Sequence, residues 1–129
     1  MKSATREWLK KAEADYAGAR RLAGLRRPPM GDLVCFHCQQ CVEKLLKGRL
    51  QEADIAFPKI HNLESLLNLV LPIEPGWEPF RAALQHLTGY AVDFRYPGEA
   101  ANAADARRAL DETRKLRLVI RRSLGVRRQ

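Results

Sequence analysis

The segment Cys35-Phe36-His37-Cys38-Gln39-Gln40-Cys41 gathers all three cysteines of the chain around one of its three histidines. Such residues can ligate a metal, form a dithiol couple or pack as small apolar side chains. A structural zinc site takes four ligands, usually from two separated pairs, and no second pair follows downstream. A redox C-x-x-C belongs beside a βαβ unit, and no run alternates with period two for long enough to supply a sheet. On a helical wheel Val34, Cys38, Cys41, Val42 and Leu45 fall on one arc, with Cys35 and Leu46 at its edge. The thiols are therefore expected in a core, with no metal and no cofactor.

The residues between the cysteines carry more chemistry. His37, Gln40 and Lys44 follow at i, i+3 and i+7 and make a polar stripe beside the apolar one. Leu33 and Phe36 stand near that side, where water would be a poor neighbour, so a second contact surface between subunits is expected there. Glu43 and Lys47 are spaced as an ordinary i, i+4 helix pair. His61 precedes a helix start, where a cap or packing contact is its plain role. Arg95 and Tyr96 sit at a Pro-Gly break, where an arginine either anchors a turn or meets an anion. Brought together, His37, Gln40, Lys44, His61, Arg95 and Tyr96 would form a pocket for an anionic ligand.

Positioning them falls to helices. Residues 3–24 place Trp8, Leu9, Ala12, Tyr16, Ala19 and Ala23 at intervals of three and four, predicting a helix with Ser3 as N-cap. Arg26-Arg27-Pro28-Pro29 cannot continue it, and Asp32 is offered as N-cap for a second helix running to about Leu50 or Glu52. A connection over 53–62 leads to a short helix, Leu63 to Val70. A fourth is expected from about Glu78 to Phe94, with Phe80, Ala83, Leu84, Leu87 and Ala91 on one face. The last, about Asn102 to Leu124, turns Ala106, Ala109, Leu110, Thr113, Leu116, Ile120 and Leu124 inward. The expected fold is an all-α, up-and-down antiparallel bundle of four long helices and one short one, forming a single domain over 1–129 with its core at about 3–124.

Lysine and arginine number 23 against 15 aspartate and glutamate, a formal net charge of +8. This favours anionic partners without choosing among RNA, DNA, nucleotides and acidic proteins. Arg107, Arg108, Arg114, Lys115, Arg121 and Arg122 fall opposite the apolar stripe of the last helix, and Arg127-Arg128 extend them. That face carries no aromatic for base stacking, so nucleic-acid contact there would be backbone-directed and salt-sensitive. Neither a signal peptide nor a membrane span is readable, which predicts a cytoplasmic protein.

The run Phe36-His37-Cys38-Gln39-Gln40-Cys41-Val42-Glu43-Lys44-Leu45-Leu46-Lys47, followed by His61-Asn62-Leu63 and by Arg95-Tyr96-Pro97, resembles the HEPN domain family. Cys41 stands where that family commonly has alanine, and the opening WLKKAEADY resembles its first helix, so the likeness spans nearly the whole chain. The resemblance implies a helical bundle that commonly forms a homodimer, a nucleotide- or RNA-binding theme, and a separately encoded minimal nucleotidyltransferase as partner in a toxin–antitoxin-like pair. One branch of the family consists of metal-independent ribonucleases with an arginine and a histidine spaced as Arg81 and His86 are. An arginine there would stabilise phosphorane-like charge while a histidine moves a proton. Here Ala82 follows the arginine where a polar residue is usual, the pair precedes the Arg-Tyr-Pro segment, and five residues on a helix separate side chains by about 140°.

Overall fold

The apolar spacing of the first segment produces the helix it predicts, and the same holds in outline along the chain. The computed structural model describes residues 1–93 and 97–126. Its α-helices are α1 (Ser3–Ala23), α2 (Gly31–Glu52), α3 (Leu63–Val70), α4 (Arg81–Asp93) and α5 (Ala103–Ser123). Arg95, Tyr96, the end of the fourth helix at Phe94 and the Arg127-Arg128 extension lie outside the described residues.

Helix α2 is the axis of the bundle, packed against α1, α3, α4 and α5. Cys35, Cys38, Cys41, Val42, Leu45 and Leu50 are fully buried along it, and Val34 and Leu46 nearly so. Around them close Leu9, Ala12 and Ala19 from α1, Leu63, Leu66, Leu67 and Val70 from α3, Leu84 and Leu87 from α4, and Ala109, Leu116 and Ile120 from α5. Each fully buried leucine contributes roughly 1.5–3 kcal/mol of transfer free energy. Ala23 is exposed rather than inward, because α1 ends beside the loop that leads to α2.

The ends of the helices depart from expectation in instructive ways. Ser3 is already helical and Lys2 holds the cap position without a side-chain cap. Asp32 does not cap α2, which begins at Gly31; its carboxylate accepts the Ala101 N–H at 2.6 Å and so ties α2 to the approach to α5. At Gly31 a Cβ would stand 2.4 Å from the Ala101 carbonyl oxygen, so only glycine permits this approach. The segment expected to open the fourth helix is instead a 3₁₀ helix, Pro75–Phe80, with Pro75 at its start and Pro79 inside it. Pro79 has no N–H to give and its ring obstructs the preceding turn, so α geometry is delayed to Arg81.

Asn102 caps α5 in a capping box: its side chain accepts the Asp105 N–H at 2.8 Å, and Asp105 accepts the Asn102 N–H at 3.0 Å. Helices α2 and α5 each close with a Schellman pair of hydrogen bonds: Ile55 N–H to the Leu50 carbonyl with Asp54 N–H to that of Gln51, and Val126 N–H to the Arg121 carbonyl with Gly125 N–H to that of Arg122. The left-handed position is Gly125 (φ 75°) after α5 but Asp54 (φ 58°) after α2.

Burial pushes the Cys38 thiol up to about 11 and the Cys35 thiol up to about 12, with the neighbouring Cys38, Asp105 and Asp32 adding to the latter; the Cys41 thiol is raised well above its ordinary value. At pH 8 a thiolate-selective reagent should therefore label the native protein roughly a hundredfold or more slowly than the urea-unfolded chain, in which all three react. Rapid labelling of any native cysteine would contradict this placement.

Candidate functional site

The polar side chains of α2 sort into two groups rather than one pocket. In the first, Asp15 of α1 accepts from Lys44 and meets His37 Nδ1 at 2.9 Å. The Asp15 side chain is only 12 % exposed, so the stripe of His37 and Lys44 faces α1 and is neutralised there. Gln40 bridges to the second group, its Nε2 donating to Gln39 Oε1 at 2.8 Å.

The second group is buried. Gln39 Nε2 donates to Glu43 Oε1 and to the His61 carbonyl, both at 3.0 Å. Lys47 Nζ pairs with Glu43 Oε2 at 3.0 Å, with the two side chains 8 % and 6 % exposed. The Lys47 ammonium also stands 5.7 Å from the Trp8 ring and 5.9 Å from the Phe57 ring, a desolvated cation beside two aromatic rings that meet edge to face. His61 meets Glu43 Oε1 through Nδ1 at 3.1 Å while most of its ring remains exposed. Its neighbour Asn62 is the N-cap of α3 and accepts the Ser65 N–H. Glu43 and Lys47 are thus the i, i+4 pair their spacing suggests, and it is an internal one.

Arg81 and His86 lead to different helices. Arg81 is held by Glu78 Oε1 at 2.7 Å, Glu64 Oε2 at 2.9 Å and Asn68 Oδ1 at 2.8 Å, which fastens α4 to α3. The guanidinium holds the carboxyls of Glu64 and Glu78 below the usual carboxylate range. His86 turns to α5, where Nδ1 lies 3.2 Å from Glu112 Oε2 and 2.7 Å from Arg108 Nη2. Among the described residues the arginine beside His86 is Arg108.

On α5, Arg107, Arg108, Arg114, Lys115 and Arg122 are exposed. Asp111 accepts from Arg114 at 2.7 Å and Lys115 at 3.0 Å, and its carboxyl is held low chiefly by Arg114. Arg121 departs from the expected surface: its side chain is 12 % exposed and donates to Glu13 of α1 at 3.0 Å. Beside it Arg117 is buried, donates to the same carboxylate through Nε and Nη2, and covers the Tyr16 ring at 4.6 Å. The pairing of Glu13 with Arg117 spans 104 residues and has no local signature. Asp15 had a weak one, standing about 60° from Ala12 on the α1 wheel. On α2, Leu33 and Phe36 are 45 % and 41 % exposed.

A buried pair broken on one side leaves an unmatched charge. Glu43→Ala should lower stability by about 3–5 kcal/mol in urea titration, while Glu43→Met combined with Lys47→Met should cost far less. Equal losses in the two proteins would remove the ion-pair assignment.

The model of the HEPN domain matches residues 5–123. Among solved structures, that of TT1696 from Thermus thermophilus is similar over 94 % of this chain and 98 % of its own, at 28 % identity and a TM-score of 0.78. That of ST0689, an archaeal HEPN homologue, is similar over 95 % and 98 %, at 25 % identity and a TM-score of 0.69. No curated protein matches the chain. Family model, helical order and the two structural likenesses agree, and the chain belongs to the HEPN domain family.

Proposed function

We propose that this chain is a homodimeric HEPN module that binds a nucleotide or RNA through the basic face of α5 and partners a separately encoded nucleotidyltransferase. The observation that carries the reading is the open charge of that face. Arg107, Arg108, Arg114, Lys115 and Arg122 are exposed along one helix, with Asp111 paired to Arg114 and Lys115 and the half-buried Glu112 to Arg108. Five cations against two carboxylates favour a polyanion, and contact would be made to phosphates rather than bases. The dimer is supported by Leu33 and Phe36, two large apolar side chains left in water on neighbouring turns of α2. The nucleotidyltransferase partnership, toxin–antitoxin-like, is supported by the family alone. Ribonuclease action by Arg81 with His86 draws no support from the geometry, since Arg81 is engaged by two carboxylates of its own side of the bundle.

Two measurements test the reading. Single-stranded RNA binding should weaken with salt, and replacing Arg107, Arg114 and Arg122 together by glutamine should reduce the slope of log K against log salt by about 2, at roughly 0.7 per phosphate contact. An unchanged slope would move the binding face elsewhere. Phe36→Glu should convert a dimer to a monomer in sedimentation equilibrium; a wild type that is monomeric at tens of micromolar would sink the dimer.

A further inference from the structure

Each histidine of this chain faces a carboxylate through Nδ1: His37 with Asp15 at 2.9 Å, His61 with Glu43 at 3.1 Å, and His86 with Glu112 at 3.2 Å. Only His86, among these, also carries an arginine nitrogen against its ring. Arg108 Nη2 stands 2.7 Å from its Nδ1 and 3.0 Å from its Nε2. A nitrogen this close to both ring nitrogens lies over the face of the imidazole rather than in its plane, so Nδ1 keeps its one in-plane position for Glu112 and the guanidinium makes no in-plane hydrogen bond to the ring.

The surroundings leave the guanidinium without a hydrogen-bonded carboxylate. Glu112 Oε1 is buried with no hydrogen-bond partner, and Arg108 Nε lies 3.8 Å from it, within ion-pair range but too far for a hydrogen bond. The side chains differ in exposure: Arg108 54 %, His86 39 % and Glu112 15 %. Two cationic or cation-forming groups therefore face solvent over a carboxylate that does not. Asp105 and Glu112 from α5, Arg108 opposing them, and Cys35 from α2 also act on Tyr90, one turn beyond His86 on α4, whose hydroxyl is raised mainly by burial.

We propose that His86 and Arg108, backed by Glu112, form a binding site for a phosphate group. One or two phosphate oxygens take the Arg108 fork and draw it off the imidazole. Nδ1–H then donates to Glu112, and Nε2–H is left to a further phosphate oxygen. A ligand of this kind gives the Arg108 fork and Nε2–H the acceptors that the empty arrangement denies them, while Glu112 keeps the imidazole turned toward it through Oε2. A carboxylate does this less well: its lone pairs lie in one plane, whereas the oxygens of a phosphate point in different directions and can meet the guanidinium fork and the histidine at once. No bond is made or broken in this step, which is binding only. The inference deepens the polyanion reading, since Arg108 belongs to the same face, but it places one phosphate at one histidine.

The other two histidines are internal controls. At fixed pH near 7, inorganic phosphate added to the ¹⁵N-labelled protein at constant ionic strength should shift both imidazole nitrogens of His86 saturably, toward protonated positions, and leave those of His37 and His61 in place. Arg108→Gln, at an exposed position, should weaken that response about tenfold, in line with the loss of a charge-assisted contact. Uridine 5′-monophosphate and the dinucleotide UpU then distinguish terminal from diester phosphate; response to either supports the site. A silent His86, three histidines moving together, or an undiminished response in Arg108→Gln overturns it. RNA retention measured on the same samples separates the two ideas: RNA bound with His86 silent refutes this site and leaves the α5 reading intact.

Discussion

A helix packed on four sides cannot leave a charge unmatched, and α2 carries Glu43 and Lys47 where only its neighbours can reach them. Their mutual pairing fixes much else. Glu43 draws in Gln39 and the His61 ring, Gln39 holds the His61 carbonyl, and Lys47 sits against Trp8 and Phe57. Helix α1, the connection after α2 and the start of α3 are thereby joined to one polar cluster inside an apolar core. Apolar packing alone would tolerate small rotations of α2; a buried ion pair with directional partners does not.

The residues that carry the family resemblance acquire a physical meaning from this cluster. Gln39, Glu43, Lys47 and His61 all belong to it, so a large part of the recognisable pattern is the pattern of a buried network. Its other recognisable positions do different work: His37 and Lys44 secure α1 through Asp15. Similarity in these residues therefore speaks first to how the bundle is locked, and only through that to what it binds.

Helix order and the core stripe were legible because periodicity is local: a cysteine between valine and leucine at the right angle is buried whatever surrounds it. What stayed hidden required a neighbour. Arg121 looks solvent-facing on its own wheel, yet α1 covers that flank and supplies Glu13. Arg117 is buried against the same carboxylate. Asp32 has the chemistry of a cap, but the Ala101 N–H, 69 residues away, claims its carboxylate. Arg81 and His86 share a sequence spacing and part company in space, because α3 offers carboxylates on one side and α5 on the other. The delay of α4 was readable in principle from Pro79, whose missing N–H decides a local question.

The close approach at Gly31 has a consequence for assembly. With the Ala101 backbone where a side chain would be, and the Asp32 carboxylate on its N–H, the start of α2 is tied to the approach to α5. Leu33 and Phe36 follow that junction within the first turns of α2, and Arg107 and Arg108 stand one turn inside the start of α5 at Ala103. The apolar patch and the basic face are thus set at a fixed angle by the backbone. If two copies meet about a two-fold axis through the patch, the spacing and direction of their basic faces follow from the protomer alone, as a ruler of constant length held against whatever anion lies across both.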